Sequence, residues 1–114
     1  MKNALITGGS GYFGECLIDF LKIKNFNTFS LDINEPTSLK NLDKFYKFDV
    51  LELYKDSSIL ENIDTVYHCV ANVPLSKDKN LFYRNNVEST RVLLDSCLKK
   101  NIKKIVLLSS SAVY

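Results

Sequence analysis

A stretch of closely spaced glycines near the amino terminus constrains the fold of this chain more than any other feature. Residues 7–14 read TGGSGYFG. The stretch follows the short apolar run Ala4–Ile6 and leads into residues 15–21, whose apolar positions recur at helical spacing. This context predicts a β-strand, a glycine turn and an α-helix in immediate succession.

Three of these glycines stand at the spacing Gly-x-x-Gly-x-x-Gly, and each has a physical task in such a turn. Gly8 lets the chain leave the strand through dihedral angles closed to other residues, Gly11 lets a backbone N–H approach a phosphate, and Gly14 lets the helix pack closely. Unpaired N–H groups and the dipole at a helix N-terminus favour an anion such as a pyrophosphate. The commonest dinucleotide fingerprint has a different spacing, Gly-x-Gly-x-x-Gly, and ordinary turns also use glycine.

Composition and charge exclude several classes of protein. The chain has 114 residues, enough for one domain, with 46% hydrophobic and 25% charged residues. The net charge of +2, with both signs mixed along the chain, argues against a nucleic acid partner. No apolar run is long enough for a membrane helix, and Met1–Asn3 leads into the first strand without a signal peptide. Three scattered cysteines are typical of a reducing compartment, so we expect a cytoplasmic protein without a metal site.

An acidic residue follows the glycine turn at the distance that a dinucleotide site requires. Residues 27–32 predict a second strand that ends in Asp32, about 20 residues beyond the turn, where an acid accepts hydrogen bonds from the adenosine ribose. The same charge would repel a 2′-phosphate, and the following Ile33 and Asn34 offer no cation to hold one. The pattern therefore favours NAD over NADP, although an Asp at a strand end is also common on ordinary surfaces.

A third, shorter strand is predicted over residues 45–48, and Asp49 and Val50 follow it. Asp49 could accept a hydrogen bond from the adenine amino group while Val50 packs on the ring. Asp49 could equally cap a helix that begins at Leu51.

The fourth strand, residues 65–71, is almost wholly apolar and is typical of a central parallel strand. It contains His68, the only histidine of the chain. We interpret His68 as a packed, hydrogen-bonded core residue rather than a catalytic one. Ala71, at the end of this strand, is small enough for backbone to approach a ligand.

The longest helical pattern extends from residue 78 to residue 100 and precedes a fifth strand over residues 105–108. Asn86 lies among apolar positions of this helix, and its amide needs a partner, either nearby backbone or a cofactor. Strands alternating with helices imply right-handed crossovers and a parallel sheet, most simply in the order 3-2-1-4-5. We therefore predict one α/β domain over residues 1–114, with the glycine turn, the end of strand 4 and the serines after strand 5 around one crevice.

The assembled pattern resembles the extended short-chain dehydrogenase/reductase superfamily, and within it the NAD-dependent epimerase/dehydratase family that acts on nucleotide sugars. The resemblance covers the whole chain and rests on six ordered motifs. They are Thr7-Gly8-x-x-Gly11-x-x-Gly14, Asp32, Asp49-Val50, Val66-Tyr67-His68-x-x-Ala71, Asn86-Val87-x-x-Thr90 and the terminal run Ser109–Tyr114. It implies a Rossmann-type doubly wound sheet that here stops after strand 5.

The resemblance also implies roles for individual residues. It places the substrate-binding serine of the active site at Ser110, with Ser111 as the alternative if the register slips by one. The pyrophosphate would meet the backbone of the first helical turn, and the remaining cofactor contacts follow from the motifs. The implied NAD-binding residues are Gly8, Gly11, Tyr12, Phe13, Gly14, Asp32, Ile33, Asn34, Asp49, Val50, Cys69, Val70, Ala71 and Asn86.

Departures from the family pattern limit what the resemblance implies. Val70 stands where the family has Ala, and Ser89 where it has Gly. The Tyr-x-x-x-Lys pair that supplies the family's general base has no counterpart, so we expect this chain to bind NAD weakly at best and not to turn over. Family members form homodimers and act on nucleotide sugars. The resemblance therefore implies that a longer form of this protein would be a homodimer and would take a nucleotide sugar as its substrate. The alternatives are a non-catalytic dinucleotide-binding sensor or interaction module and, less compatible with the glycine turn, a flavodoxin-like or response-regulator domain.

Overall fold

The computed structural model describes residues 1–69 and 79–108, with the backbone alone for residues 79–86. Within these ranges the chain forms five strands and two α-helices, with α1 between β1 and β2 and α2 between β4 and β5. Two short 3-10 turns, Val50–Glu52 and Ser57–Leu60, lie between the third and fourth strands. The elements are β1 Asn3–Thr7, α1 Tyr12–Ile23, β2 Asn27–Asp32, β3 Lys44–Lys47, β4 Thr65–His68, α2 Lys79–Lys99 and β5 Lys104–Leu107.

The five strands form one parallel sheet in the order β3-β2-β1-β4-β5. This order confirms the α/β fold and the doubly wound topology predicted from the sequence. The order reverses beside β1, because the chain runs outward from β1 to β3 on one side and from β4 to β5 on the other. Ligands of open α/β sheets bind at such a point, beyond the carboxyl ends of the strands.

The core lies on both faces of β1, whose apolar residues alternate between two clusters. Leu5 faces the cluster beneath α2 and Val50–Leu60, whereas Ala4 and Ile6 face the cluster beneath α1. All three are fully buried. The continuous apolar run before the glycine turn is therefore explained by a central strand that is covered on both faces.

Both α-helices end in the same way, at an asparagine in the left-handed conformation. Asn25 follows α1 with φ 66°, and Asn101 follows α2 with φ 58°. After α1, the N–H of Phe26 donates to the carbonyl of Leu21, and after α2 the N–H of Ile102 donates to the carbonyl of Cys97, both at 3.0 Å. These bonds satisfy carbonyls that a helix end leaves unpaired, and asparagine tolerates the required conformation.

The structure corrects the local prediction after β3. The helix expected from Leu51 is only a 3-10 turn, Val50–Glu52, and β3 begins one residue earlier than predicted, at Lys44. Asp49 does cap this turn, because its Oδ1 accepts from the N–H of Leu51 at 3.0 Å. Among the described residues, neither α-helix combines the length and apolar character needed to cross a bilayer.

Candidate functional site

The carboxyl ends of all five strands meet along one edge of the sheet. Backbone hydrogen bonds continue the pairing one residue past the strands, so the residues that follow them are held in a row. The bonds run from Phe48 N to Asp32 O at 3.0 Å, from Gly8 N to Leu31 O at 2.8 Å, from Cys69 N to Thr7 O at 3.0 Å and from Leu108 N to His68 O at 3.1 Å. The glycine turn leaves the middle of this row.

The first glycine of the turn adopts the backbone conformation for which glycine was expected. Gly8 has φ 72°, which is strained for any residue with a Cβ. Its N–H is fixed on β2 through the Leu31 carbonyl, and its carbonyl accepts from the N–H of Gly11 at 3.2 Å. The turn is therefore closed by its own backbone before α1 begins.

Two other glycines of the turn are required by close packing. A Cβ on Gly14 would lie 2.7 Å from Cα of Gly9 and closer still to the carbonyl oxygen of Gly8. A Cβ on Gly9 would lie 3.0 Å from Cβ of Ser30 and would collide with the Ser30 hydroxyl. Gly14 therefore allows α1 to pack against the turn, whereas close packing on the sheet was predicted, and Gly9 brings the turn against β2, which was not predicted.

The N-terminus of α1 presents backbone N–H groups without a side-chain cap. Its N-cap is Gly11, and no side chain in the described part of the chain hydrogen-bonds to the cap. The N–H groups of Tyr12 and Phe13 belong to the first turn, where intrahelical acceptors do not exist. Among the described residues, a Cβ on Gly11 would meet only the Gly8 carbonyl, at an ordinary 3.5 Å, so these residues leave this face of the turn open. The arrangement suits an anion.

Asp32 lies at the end of β2 and contacts the glycine turn directly. Its Oδ2 accepts from the backbone N–H of Ser10 at 3.0 Å, and its Oδ1 accepts from the N–H of Asn34 at 2.9 Å. The Ser10 hydroxyl donates to the Asn34 carbonyl at 2.7 Å. Each carboxylate oxygen can accept a second hydrogen bond, so Asp32 can still receive two hydroxyl donors. Ile33 is exposed beside it.

Two further predicted cofactor residues follow β3 in this structure. One Asp49 carboxylate oxygen is used in capping, whereas Val50 is only 4% exposed and packs in the core with Leu53. The predicted contacts of Asp49 and Val50 with an adenine stay predictions.

His68 and Cys69 lie at the end of β4 and are uncharged in the folded protein. Burial lowers the pKa of His68 to about 4 and raises the pKa of the Cys69 thiol to about 11. Both ring nitrogens of His68 contact hydroxyls, Nδ1 that of Thr7 at 2.7 Å and Nε2 that of Thr90 at 3.2 Å. This environment agrees with the interpretation of His68 as a core residue.

Several predicted site residues lie outside the described residues. Val70, Ala71 and Ser110 belong to this group, and Asn86 is placed in α2 only by its backbone. Their predicted roles stay predictions. The sequence analysis also missed Ser10, whose link to Asp32 spans 22 positions. A hydroxyl residue inside a glycine turn is the only sequence signal that could have indicated it.

Comparison with known proteins agrees with this geometry. The parallel sheet and the glycine turn at the switch point define the chain as a Rossmann-type α/β protein. The sequence model of the NAD dependent epimerase/dehydratase family matches residues 4–114. The chain belongs to this family, which confirms the resemblance seen in the sequence.

Individual relatives are much longer than this chain. It is 42% identical to the uncharacterized protein y4nG of Sinorhizobium fredii over its whole length, which is 29% of that protein. It is 28% identical to the sterol-4-alpha-carboxylate 3-dehydrogenase, decarboxylating, of Mus musculus over 98% of the chain and 31% of the relative. Among solved structures, MoeE5 in complex with UDP-glucuronic acid and NAD superimposes with a TM-score of 0.85 and 27% identity, over 98% of this chain and 38% of that one.

Proposed function

We propose that this chain binds NAD as the dinucleotide-binding part of an epimerase/dehydratase. The observation that best supports this proposal is the 3.0 Å hydrogen bond from the Ser10 N–H to Asp32. This bond holds the proposed ribose-binding acid beside the proposed pyrophosphate site. The MoeE5 structure, which contains NAD, supports this assignment. The residues fit the cofactor: the turn is uncapped where a pyrophosphate would lie, and Asp32 has acceptor capacity left for ribose hydroxyls.

The chain's residues divide the recognition of the cofactor between them. The N–H groups of Tyr12 and Phe13 bind the pyrophosphate, while Gly8, Gly11 and Gly14 keep the turn narrow enough for its approach. Asp32 binds the adenosine ribose with Ile33 and Asn34 beside it, and its charge disfavours the 2′-phosphate of NADP. The remaining proposed contacts are Asp49 and Val50 at the adenine, and Cys69, Val70, Ala71 and Asn86 along the cofactor.

The reaction we propose for the whole protein is hydride transfer between a carbinol carbon of a nucleotide sugar and NAD. NAD supplies the hydride acceptor when bound. Ser110 would hydrogen-bond the substrate oxygen that becomes a carbonyl. UDP-glucuronic acid in the MoeE5 complex supports the nucleotide sugar, whereas the murine relative makes a sterol carboxylate the second candidate. We also propose a homodimer in the cytoplasm for the whole protein.

Calorimetric titration of the chain with NAD and NADP tests the cofactor assignment. We expect NAD to bind more tightly than NADP, and Asp32→Asn to weaken NAD binding by about 10- to 100-fold, because a hydrogen bond to a charged group contributes about 1.5–3 kcal/mol. Asp64→Asn is the matched control, since Asp64 also accepts a backbone N–H, from Asn3 at 2.7 Å, but near the amino ends of the strands. Equal losses in both variants, or no binding by the unaltered chain, would contradict the proposal.

Turnover assays separate binding from catalysis. The sequence contains no Tyr-x-x-x-Lys. We therefore expect no NADH fluorescence when the 114-residue chain is mixed with NAD and UDP-glucuronic acid. NADH formation under these conditions would show that the proposed division between a binding portion and a base supplied elsewhere is wrong.

A further inference from the structure

Three side chains, two of them buried, form a hydrogen-bonded chain between the glycine turn and α2. Thr7 is the last residue of β1, His68 is the last residue of β4, and Thr90 lies within α2. The Thr7 hydroxyl lies 2.7 Å from Nδ1 of His68, and the Thr90 hydroxyl lies 3.2 Å from Nε2. Thr7 is fully buried and His68 is 5% exposed. None of the roles proposed above for the cofactor site involves these three side chains.

The two hydroxyl partners of His68 suit an uncharged imidazole. A neutral imidazole has one N–H donor and one acceptor nitrogen, and a hydroxyl can serve as either. One nitrogen therefore donates to one threonine while the other accepts from its partner, in either tautomer. Burial without these bonds would leave polar atoms unsatisfied, which is costly in a dry interior.

Thr7 is the residue through which such a contact can reach the cofactor site. Its carbonyl accepts from Cys69, and the next residue, Gly8, has the positive φ that starts the turn. The backbone and the side chain of Thr7 are thus both attached to the end of β4. A rotation of Thr7 would be transmitted to Gly8 and then to the start of α1.

We propose that His68 is a positioning residue of the dinucleotide site: it ties the Thr7 hydroxyl to Thr90 of α2 and thereby fixes where the glycine turn leaves the sheet. The inference rests on the proposed function only for its effect on NAD binding. The geometric part concerns the ligand-free chain. A residue that merely filled space would stabilise the core without selecting the conformation of the turn.

Two substitutions at His68 separate these roles, because each preserves one of the two contacts. The amide of His68→Asn lies near the position of Nδ1 and can still reach Thr7. The amide of His68→Gln lies near the position of Nε2 and can still reach Thr90. Both replace the ring by a smaller amide, so both should lower the midpoint of urea unfolding.

The composition of the chain gives a direct readout of the turn. All four glycines are in it, so selective 15N labelling of glycine reports on Gly8, Gly9, Gly11 and Gly14 alone. We expect His68→Asn to keep the four amide resonances of the unaltered chain and its NAD affinity within about threefold. We expect His68→Gln to shift the resonances and to weaken NAD binding by about tenfold, the effect of about one lost hydrogen bond.

A second pair at Thr7 keeps the test decisive if a His68 variant fails to fold. Thr7→Ser retains the hydroxyl and should leave the glycine resonances in place, whereas Thr7→Val removes it and should reproduce the spectrum of His68→Gln. Equal glycine spectra in the paired variants would overturn the positioning role. Absence of NAD binding in the unaltered chain would overturn the proposed function, and the ligand-free spectra would still decide the role of His68.

Discussion

The two lateral halves of the sheet, to either side of the point where the strand order reverses, differ in how completely their apolar residues are buried. On the side that carries the glycine turn, the strand residues Ala4, Leu5 and Ile6 of β1 and Leu31 of β2 are fully buried. On the other side, Val106 and Leu107 of β5 are 38% and 50% exposed, and Leu108, which follows β5, is 45% exposed. We call these the turn side (β1, α1, β2 and the connection to β3) and the β5 side (β4, α2 and β5).

The turn side is also fastened by polar contacts that span a long connection. Three residues on one face of α1 bind the segment between β2 and β3, so this segment is held along the length of the helix. Glu15 accepts from Thr37 at 2.7 Å, Asp19 accepts from Asn41 at 2.7 Å and Lys22 donates to Asp43 at 2.6 Å.

This difference teaches that the adenosine end of the proposed dinucleotide site lies in the better-buried part of the sheet. The adenosine end, around Asp32 and the turn, has its packing and its hydrogen bonds within this chain. The β5 edge leaves apolar groups accessible to solvent. The following predictions test this contrast, beginning with the largest effect.

Gly14→Ala should cause the greatest loss, because the new methyl group would meet the backbone of Gly8 and Gly9, which cannot move aside. We expect the free energy of unfolding to fall by about 3 kcal/mol, the upper range for overpacking. Urea denaturation followed by circular dichroism measures it. Gly11→Ala is the control, since its Cβ has room and Gly11 has φ −78°. It should fold normally, and a similar loss in both variants would contradict the close-packing argument.

Acid should lower the free energy of unfolding through His68, which lies where the turn side and the β5 side meet. Its pKa falls from 6.5 to about 4 on folding, so the unfolded chain binds a proton that the folded chain does not. The stability that follows is present above pH 6.5 and is lost as the pH falls towards 4, with about 2 kcal/mol lost between pH 7 and pH 5. Urea titrations at each pH measure it, and His68→Gln should lack this component.

A smaller effect is expected for the ion pair that ends the α1 contacts. The hydrogen bond from Lys22, followed by that from the Thr28 N–H, lowers the pKa of Asp43. Its stabilisation is therefore present above the unfolded value of 3.8 and is lost as the pH falls through the lower folded value. Because both side chains are about one-third exposed, Asp43→Asn should cost below about 1 kcal/mol at pH 7. The cost should vanish in acid, and a persistent cost would contradict this cause.

The β5 side should be distinguished by association rather than by stability. We expect the chain to self-associate through the exposed apolar residues of β5, as seen by light scattering. Leu107→Lys should reduce association while changing the free energy of unfolding by less than about 0.5 kcal/mol. Phe20→Lys is the control, because Phe20 is similarly exposed on α1. If the unaltered chain is a monomer by light scattering, the β5 edge does not mediate self-association.

Much of the fold could be predicted because its signals are local. The glycine spacing, the apolar run before it and Asp32 at the end of a strand indicated strand, turn, helix and strand, and alternation implied the sheet order. Local signals were weaker where the chain is irregular. The residues after Asp49 form a 3-10 turn instead of a helix, since Val50 and Leu53 are drawn into the core by tertiary packing.

The sequence by itself therefore determined the class of fold, the position of the glycine turn and the presence of an acidic residue, Asp32, at the end of the second strand. Only the tertiary structure decided which distant groups meet: Ser10 with Asp32, Gly9 with Ser30, and His68 with Thr7 and Thr90. The physical reason is one of range. Periodicity and turn chemistry act over a few residues, whereas these contacts join residues at least 21 positions apart and exist only once the parallel strands have brought their ends together.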